Sequence, residues 1–381
     1  MLHKFKNIDL LIVAILIAFL VISTLLVYSA TLDDPNIDFD LKKTITIYII
    51  SILAFIGVTF VDFRVLVKVS PYFYITGLAL LAAVYKFGLE KNGAKSWFPL
   101  PGGLDFQPAE LMKLVLIIAL AAFLARKQGE SLTFLTDVLP VGVIVLIPFV
   151  LVLIQPDLGN AIIFIVILIG MLWIGNVKYL HFLIGLLLAV AALALFMYLF
   201  THYHEPIKTY FTEKGKSHWV ARIDTFVNPE SATKDQKFQV DNSIKAIGSG
   251  GLTGESYLKG TSVHRNFIPY AYSDSIFVVL AEEFGFVGSS ILLLLYFVLI
   301  YRMILISIQC NDKAGSYIII GVVSMFVFQI FENVGMLIGI MPLTGITLPY
   351  ISYGGTSLLI NMMSIGLVMS IRVHQEKNPI Y

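Results

Sequence analysis

The side chains with chemical potential in this chain gather where long apolar runs begin or end. Asp274 is the most informative. It lies in Pro269-Tyr270-Ala271-Tyr272-Ser273-Asp274-Ser275-Ile276-Phe277, where a polar stretch ends and an apolar run begins. One reading is a helix N-cap, because an aspartate there satisfies orphan backbone N–H groups. The other is a general base, set to take a proton from a sugar hydroxyl at a water–membrane boundary. Glu110 and Lys113, at i and i+3, share one helix face. They read either as a self-neutralising ion pair or as a polar wall for a charged lipid headgroup. Gln155-Pro156-Asp157-Leu158-Gly159-Asn160 reads as a tight turn in which Asp157 caps the next helix; its side chains can also shape a pocket. Glu282, Glu283, Glu332 and Asn333 lie inside apolar runs, where structural roles are favoured over catalysis. Gly248-Ser249-Gly250-Gly251 could cradle phosphate through backbone N–H groups, but it lacks a P-loop pattern. His202 and His204 read as solvated loop residues rather than metal ligands.

These residues need elements to position them, and composition says which kind. Of 381 residues, 58% are hydrophobic and 13% charged, with a mean hydropathy of +0.86. A soluble domain is about half apolar and a quarter charged. The composition therefore demands membrane spans. A net charge of +1 gives no reason to expect a nucleic-acid partner, and a lone Cys310 excludes an internal disulfide framework or a Cys-based zinc site. Ten apolar runs of roughly spanning length occur, at 8–29, 42–61, 69–86, 109–125, 137–154, 158–176, 179–201, 275–303, 316–338 and 353–371. The first is too long, with too poor a cleavage site, to be a signal peptide. Most lysines and arginines of the short loops fall on the side of Lys4, Arg64, Arg126, Lys178, Arg302 and Arg372. The positive-inside rule then predicts both termini in the cytoplasm. The expected fold is an all-α integral membrane protein, a single polytopic domain over 1–381 with about ten transmembrane helices. A large extracellular loop, 202–274, joins the seventh helix to the eighth and carries Asp274. A second outer loop spans 87–108. The segment from Met341 to Ser357, rich in proline and glycine, cannot continue a helix and reads as re-entrant.

Taken together, these segments resemble the SEDS family (shape, elongation, division and sporulation proteins), and most closely its rod-shape branch. The likeness rests on Val27-Tyr28-Ser29-Ala30, Gly93-Ala94-Lys95-Ser96-Trp97, Gln107-Pro108-Ala109-Glu110 with Lys113, and Gln155-Pro156-Asp157-Leu158-Gly159. It continues through Ala246–Gly251, Asp274 before Ile276-Phe277, Glu282–Gly288 and Pro342–Ser357, in this order along nearly the whole chain. The resemblance implies a glycosyltransferase of the bacterial cytoplasmic membrane that polymerises peptidoglycan from lipid II on the outer face, in cell elongation. It makes Asp274 the catalytic base, a role that one residue can fill while it also caps a helix. Matching motif positions imply substrate contacts from Lys95, Trp97, Gln107, Glu110, Lys113, Gln155, Asp157, Ser352 and Tyr353, and Arg222 of the long polar loop is a further candidate. Trp97 reads equally as a stacking face for a sugar and as an interface anchor. Lys113, Arg222 or a divalent cation, magnesium or manganese, would stabilise the leaving pyrophosphate. Membrane lipids and a class B penicillin-binding protein are the implied partners. The sequence departs from the family pattern at Ala109, Tyr270 and Ser275, where Ser, Glu and Phe are usual. Thr344 stands where division members carry Lys. The competing readings are a lipid II flippase or other transporter, a division or sporulation member of the same family, and a scaffold that only recruits a transpeptidase.

Overall fold

The computed structural model describes residues 7–33, 40–91, 94–100, 104–213, 220, 224 and 234–375. A helix occupies each of the ten apolar runs. They are α1 (Leu10–Thr31), α2 (Leu41–Phe60), α3 (Phe63–Phe87), α4 (Pro108–Leu124), α5 (Leu139–Ile154), α6 (Leu158–Ile174), α7 (Tyr179–His202), α11 (Ile276–Ile308), α12 (Lys313–Leu337) and α13 (Gly355–His374). The long polar stretch holds α8 (His204–Glu213), α9 (Lys234–Ser249) and the single turn α10 (Thr261–His264). Among the described residues, eight helices are long and apolar enough to cross a membrane; α6, at 17 residues, is shorter. The chain is a multi-pass membrane protein.

Aspartates start many of these helices. Asp9 accepts from the N–H groups of Leu11 (3.1 Å) and Ile12 (3.3 Å), Asp40 from Lys43 (3.1 Å), and Asp62 from Arg64 (2.9 Å). Asp157 accepts from Asn160 (3.2 Å) and Asp312 from Ala314 (2.9 Å). Each satisfies N–H groups that a helix start leaves without partners.

Three helices form the interior. Most of the apolar stretch of α13 (83%), α4 (72%) and α12 (67%) is buried, against 17–39% for α1, α2, α3, α5 and α11. The outer helices turn large apolar side chains outward, among them Leu53, Ile75, Leu146 and Phe297. That is the surface a lipid environment accepts. Small residues let the inner helices approach. A Cβ at Gly321 of α12 would lie 2.8 Å from Ile117 Cγ2 of α4 and 3.0 Å from Met171 Sδ of α6.

Two connections have structure that the apolar pattern does not predict. The 87–108 loop contains an antiparallel sheet of β1 (Leu89–Lys91), β2 (Ala94–Leu100) and β3 (Leu104–Phe106), with Leu89 opposite Trp97 and Phe98 opposite Phe106. Helix α11 breaks at Gly285 (φ 63°, ψ −158°). The segment after α9 docks there: Gly251 and Leu252 carbonyls accept from Phe286 and Val287, and the Glu282 and Glu283 carbonyls accept from Glu255 and Ser256, at 2.9–3.1 Å. Every backbone group freed by a break at membrane depth needs such a partner.

Candidate active site

Asp274 stands one residue before the N-cap of α11. The cap position is Ser275, and it makes no side-chain cap bond. The N-cap reading of Asp274 is therefore not realised, although five other aspartates cap helices in this molecule. Its Oδ1 is shielded from solvent and has no hydrogen-bond partner. Burial pushes the carboxyl up from the ordinary value of 3.8 to about 6, against the lowering pull of the Asp274 and Ser275 N–H groups. A partly dehydrated carboxylate with a free oxygen is more basic than a solvated one.

The surrounding loops are fixed mainly through backbone groups. Asn333, near the C-terminal end of α12, donates through Nδ2 to both the Asp274 carbonyl (2.7 Å) and the Ile346 carbonyl (2.8 Å). Its neighbour Glu332 accepts from Thr344 Oγ1 at 3.0 Å. Between them lies Gly345, with φ +73°; a Cβ there would sit 3.5 Å from Asp274 Oδ2. Tyr353 N–H donates to the Tyr272 carbonyl at 3.0 Å, and the two rings meet edge to face at 6.3 Å. Gln239 of α9 donates to Ser275 Oγ at 3.4 Å.

The segment between α12 and α13 is non-helical, as the proline and glycine content predicts, and it is buried from Leu348 to Ser352. Protein groups satisfy its backbone: Tyr296 Oη donates to the Pro349 carbonyl, and Ser23 Oγ donates to the Ile351 carbonyl at 2.8 Å. Ser352 spends its Oγ inside this segment, accepting from Leu348 N–H at 2.8 Å.

A second polar group abuts the same segment. Gln107 donates to Asp157 Oδ2 at 2.7 Å, and Asp157 also receives Asn160 Nδ2 at 3.0 Å. At Gly159, a Cβ would meet Ile346 Cγ1 at 2.7 Å and Thr344 Cβ at 3.1 Å. The start of α6 thus rests directly on the residues flanking Gly345. Further along α4, one turn beyond Glu110, Lys113 is fully buried and donates to Glu110 Oε1 at 2.7 Å, while Glu110 Oε2 has no partner. The ion pair exists, with one carboxylate oxygen still available.

Other predicted contacts lie in the scaffold around this cluster. Gln155 Nε2 donates to the Leu81 carbonyl at 2.9 Å, and its own carbonyl accepts from Ser96. Lys95 Nζ, on the β2 strand that carries the half-buried Trp97, donates to the Lys86 carbonyl at the end of α3 at 3.0 Å. Arg222 lies outside the described residues. Gly250 and Gly254 are used for close backbone packing: a Cβ at either would come within about 2.1 Å of a carbonyl of α11. They belong to the docking of the loop on α11, and no phosphate cradle is built there. Glu282 accepts from Ser262 (2.7 Å) and Val263 (3.1 Å) at the start of α10, and Glu283 accepts from Ser29 Oγ. His204 is not solvated as expected: its Nε2 lies 2.7 Å from Asp224 Oδ1, with both side chains mostly buried. Asn333 and Gly345 are the residues whose importance the motif reading underrated. The only signal was an amide next to a glutamate in an apolar run.

The chain matches the cell cycle protein family of FtsW, RodA and SpoVE over residues 6–377. It belongs to this family. It is 32% identical to stage V sporulation protein E of Bacillus subtilis (strain 168), covering 95% of this chain and 96% of that one. It is 33% identical to peptidoglycan glycosyltransferase MrdB of Escherichia coli (strain K12), covering 95% and 92%. Its fold resembles the crystal structure of Thermus thermophilus rod shape determining protein RodA, with a TM-score of 0.66, 28% identity and coverage of 97% and 98%. It resembles more strongly a chain from a peptidoglycan synthase complex that coordinates polymerization and crosslinking, with a TM-score of 0.77, 28% identity and coverage of 97% and 99%.

Proposed function

We propose that this protein is a peptidoglycan glycosyltransferase that joins lipid II units on the outer face of the bacterial cytoplasmic membrane, with both termini inside. The observation that carries the reading is the unspent carboxylate of Asp274. It is shielded, raised to about 6, free at Oδ1 and braced from α12. A relative named as a peptidoglycan glycosyltransferase supports the reaction class.

Asp274 removes the proton from the acceptor sugar 4-hydroxyl as that oxygen attacks the donor anomeric carbon. The bond to the undecaprenyl pyrophosphate breaks, and its electron pair leaves with the pyrophosphate. An α-linked donor becomes a β-1,4 bond, so the reaction inverts with one base on the face opposite the leaving group. Pyrophosphate is already a good leaving group and needs no general acid. Lys113 is placed by motif to offset its growing charge. Among the described residues no three His, Cys, Asp or Glu side chains come together to hold a metal ion. A magnesium or manganese ion fits only as such ions usually bind beside phosphates, through water, the pyrophosphate and one or two carboxylates. Glu110 Oε2 is an available oxygen, and a bound ion would neutralise pyrophosphate charge. A class B penicillin-binding protein is the expected partner, because a structural neighbour comes from a complex that couples polymerization to crosslinking.

The test is direct. Purified protein and Asp274→Ala are incubated with lipid II and a divalent cation, and the products are run on a gel. A glycan ladder from wild type alone is expected. No ladder from wild type, even with a partner transpeptidase present, would return the weight to transport or scaffolding.

A further inference from the structure

We infer that Glu332 is a positioning residue of the glycosyl transfer, acting on Asp274 through the hydroxyl of Thr344. The inference rests on the reading of Asp274 as the base.

Glu332 and Asn333 are consecutive on α12, both fully buried. Each holds the segment beyond α12 on a different side of one residue. Glu332 Oε1 takes the Thr344 hydroxyl at 3.0 Å, and Asn333 Nδ2 takes the Ile346 carbonyl at 2.8 Å. Gly345, between them, faces the Asp274 carboxylate, since a Cβ there would lie 3.5 Å from Asp274 Oδ2, and its positive φ bends the segment at that point. The same Asn333 amide group holds the Asp274 backbone at 2.7 Å. Two adjacent side chains on one rigid helix thus set the separation between the carboxylate and the wall it faces.

Asn333 alone would leave that wall pinned at one end. Among the described residues Thr344 has no hydrogen-bond tether other than Glu332, and on its far side it meets the start of α6 at Gly159. Losing the Glu332 bond frees the half of the bend that leads into Gly345. The carboxylate is still present, but its distance to the acceptor hydroxyl is no longer held. A loss of this kind lowers the chemical step more than binding.

The chemistry of the bond separates this role from others. Thr344 needs an acceptor, and the neutral amide oxygen of glutamine supplies one at the same reach. A glutamate working by charge, as an acid or a cation ligand, would lose its function in Glu332→Gln.

The experiment measures steady-state polymerisation of lipid II by the full-length protein in lipid vesicles. Variants are Glu332→Ala, Glu332→Gln, Thr344→Val, Thr344→Ser and the double Glu332→Ala/Thr344→Val. We expect kcat to fall about tenfold in Glu332→Ala and in Thr344→Val, with KM within about twofold, as for one lost buried hydrogen bond. Glu332→Gln and Thr344→Ser should recover most of kcat. The double variant should be no worse than either single one, because both remove the same bond. Thr344→Val nearly preserves side-chain shape and keeps the test open if Glu332→Ala folds poorly. Wild-type kcat in Thr344→Val, or a Glu332→Gln as slow as Glu332→Ala, would overturn the inference. An Asp274→Ala variant run alongside keeps the two claims apart: if it polymerises normally, the base assignment fails; if it is dead while Thr344→Val is normal, only the positioning role fails.

Discussion

At the scale of single residues, the account turns on a carboxylate kept from its usual helix-start bond. Asp9, Asp40, Asp62, Asp157 and Asp312 all accept from helix N–H groups, and Asp274 does not cap α11. Burial raises its carboxyl to about 6. Two consequences follow from the sign of that shift. For a base, the deprotonated form is active, so kcat/KM should fall about tenfold per pH unit below roughly pH 6. A plateau extending unchanged to pH 5 would argue against Asp274 as the titrating group. For stability, a raised folded value means that Asp274 helps below its ordinary value of 3.8 and that this help is lost as pH rises through about 6. At pH 7.5 the ionised carboxylate is therefore a burden on the fold. Asp274→Asn should melt a few degrees higher than wild type at that pH, and the gap should close near pH 4. A lower melting temperature at pH 7.5 would mean that the carboxylate holds structure together.

At the scale of elements, α12 is the brace. Asn333 ties the loop before α11 to the segment before α13, so Asn333→Leu strands two buried carbonyls at once. Each stranded group costs about 1–3 kcal/mol. We expect lower thermal stability and at least tenfold slower polymerisation; a variant with wild-type melting and rate would show the brace to be idle. The helices were legible in the sequence because membrane spans are written in uninterrupted apolar residues. All ten runs carry helices, and the chain is non-helical from Pro342 to Gly354, as its prolines require, before α13 starts at Gly355. The three-stranded sheet was not legible, because Leu89–Lys91 and Leu104–Phe106 are three residues each and show no usable alternation. The docking of Gly250–Ser256 on the break at Gly285 was hidden for another reason. Its information lies in backbone pairing between residues far apart in the chain, such as Gly251 with Phe286 and Glu255 with Glu282, with no side-chain pattern to announce it. Asp274, Glu110 and Lys113 stood out by type and boundary position; Asn333 did not, since an amide in an apolar run says nothing about which carbonyls it will meet.

At the scale of the whole molecule, the far end of the bundle is held by charge. Asp9, at the start of α1, receives Arg302 Nη2 of α11 at 2.6 Å and Arg372 Nη1 of α13. Burial pushes the Asp9 carboxyl up, but the Arg302 hydrogen bond and the Arg372 charge outweigh it and hold it below the ordinary range. A depressed value contributes stability above the unfolded pKa and loses it as pH falls through the folded one. Asp9→Asn should therefore lower the melting temperature at neutral pH by a few degrees, with the difference shrinking in acid. An unchanged melting temperature would show the clamp to be dispensable. Orientation is checked on the same scale. In a Cys310→Ser background, Glu90→Cys on β1 should react with an impermeant thiol reagent in intact cells, and Glu130→Cys, between α4 and α5, only after permeabilisation. The reverse pattern would turn the proposed topology over and place Asp274 on the wrong side for lipid-linked precursors outside the cell.

The central claim is that Asp274 acts as the base of glycosyl transfer, and the isosteric Asp274→Asn tests it most directly. Asparagine keeps the side chain's size and removes its ability to take the proton. Asp274→Asn, reconstituted with lipid II and a divalent cation, should yield no glycan ladder while binding lipid II within about threefold of wild type. A ladder of wild-type length and rate from Asp274→Asn would contradict it.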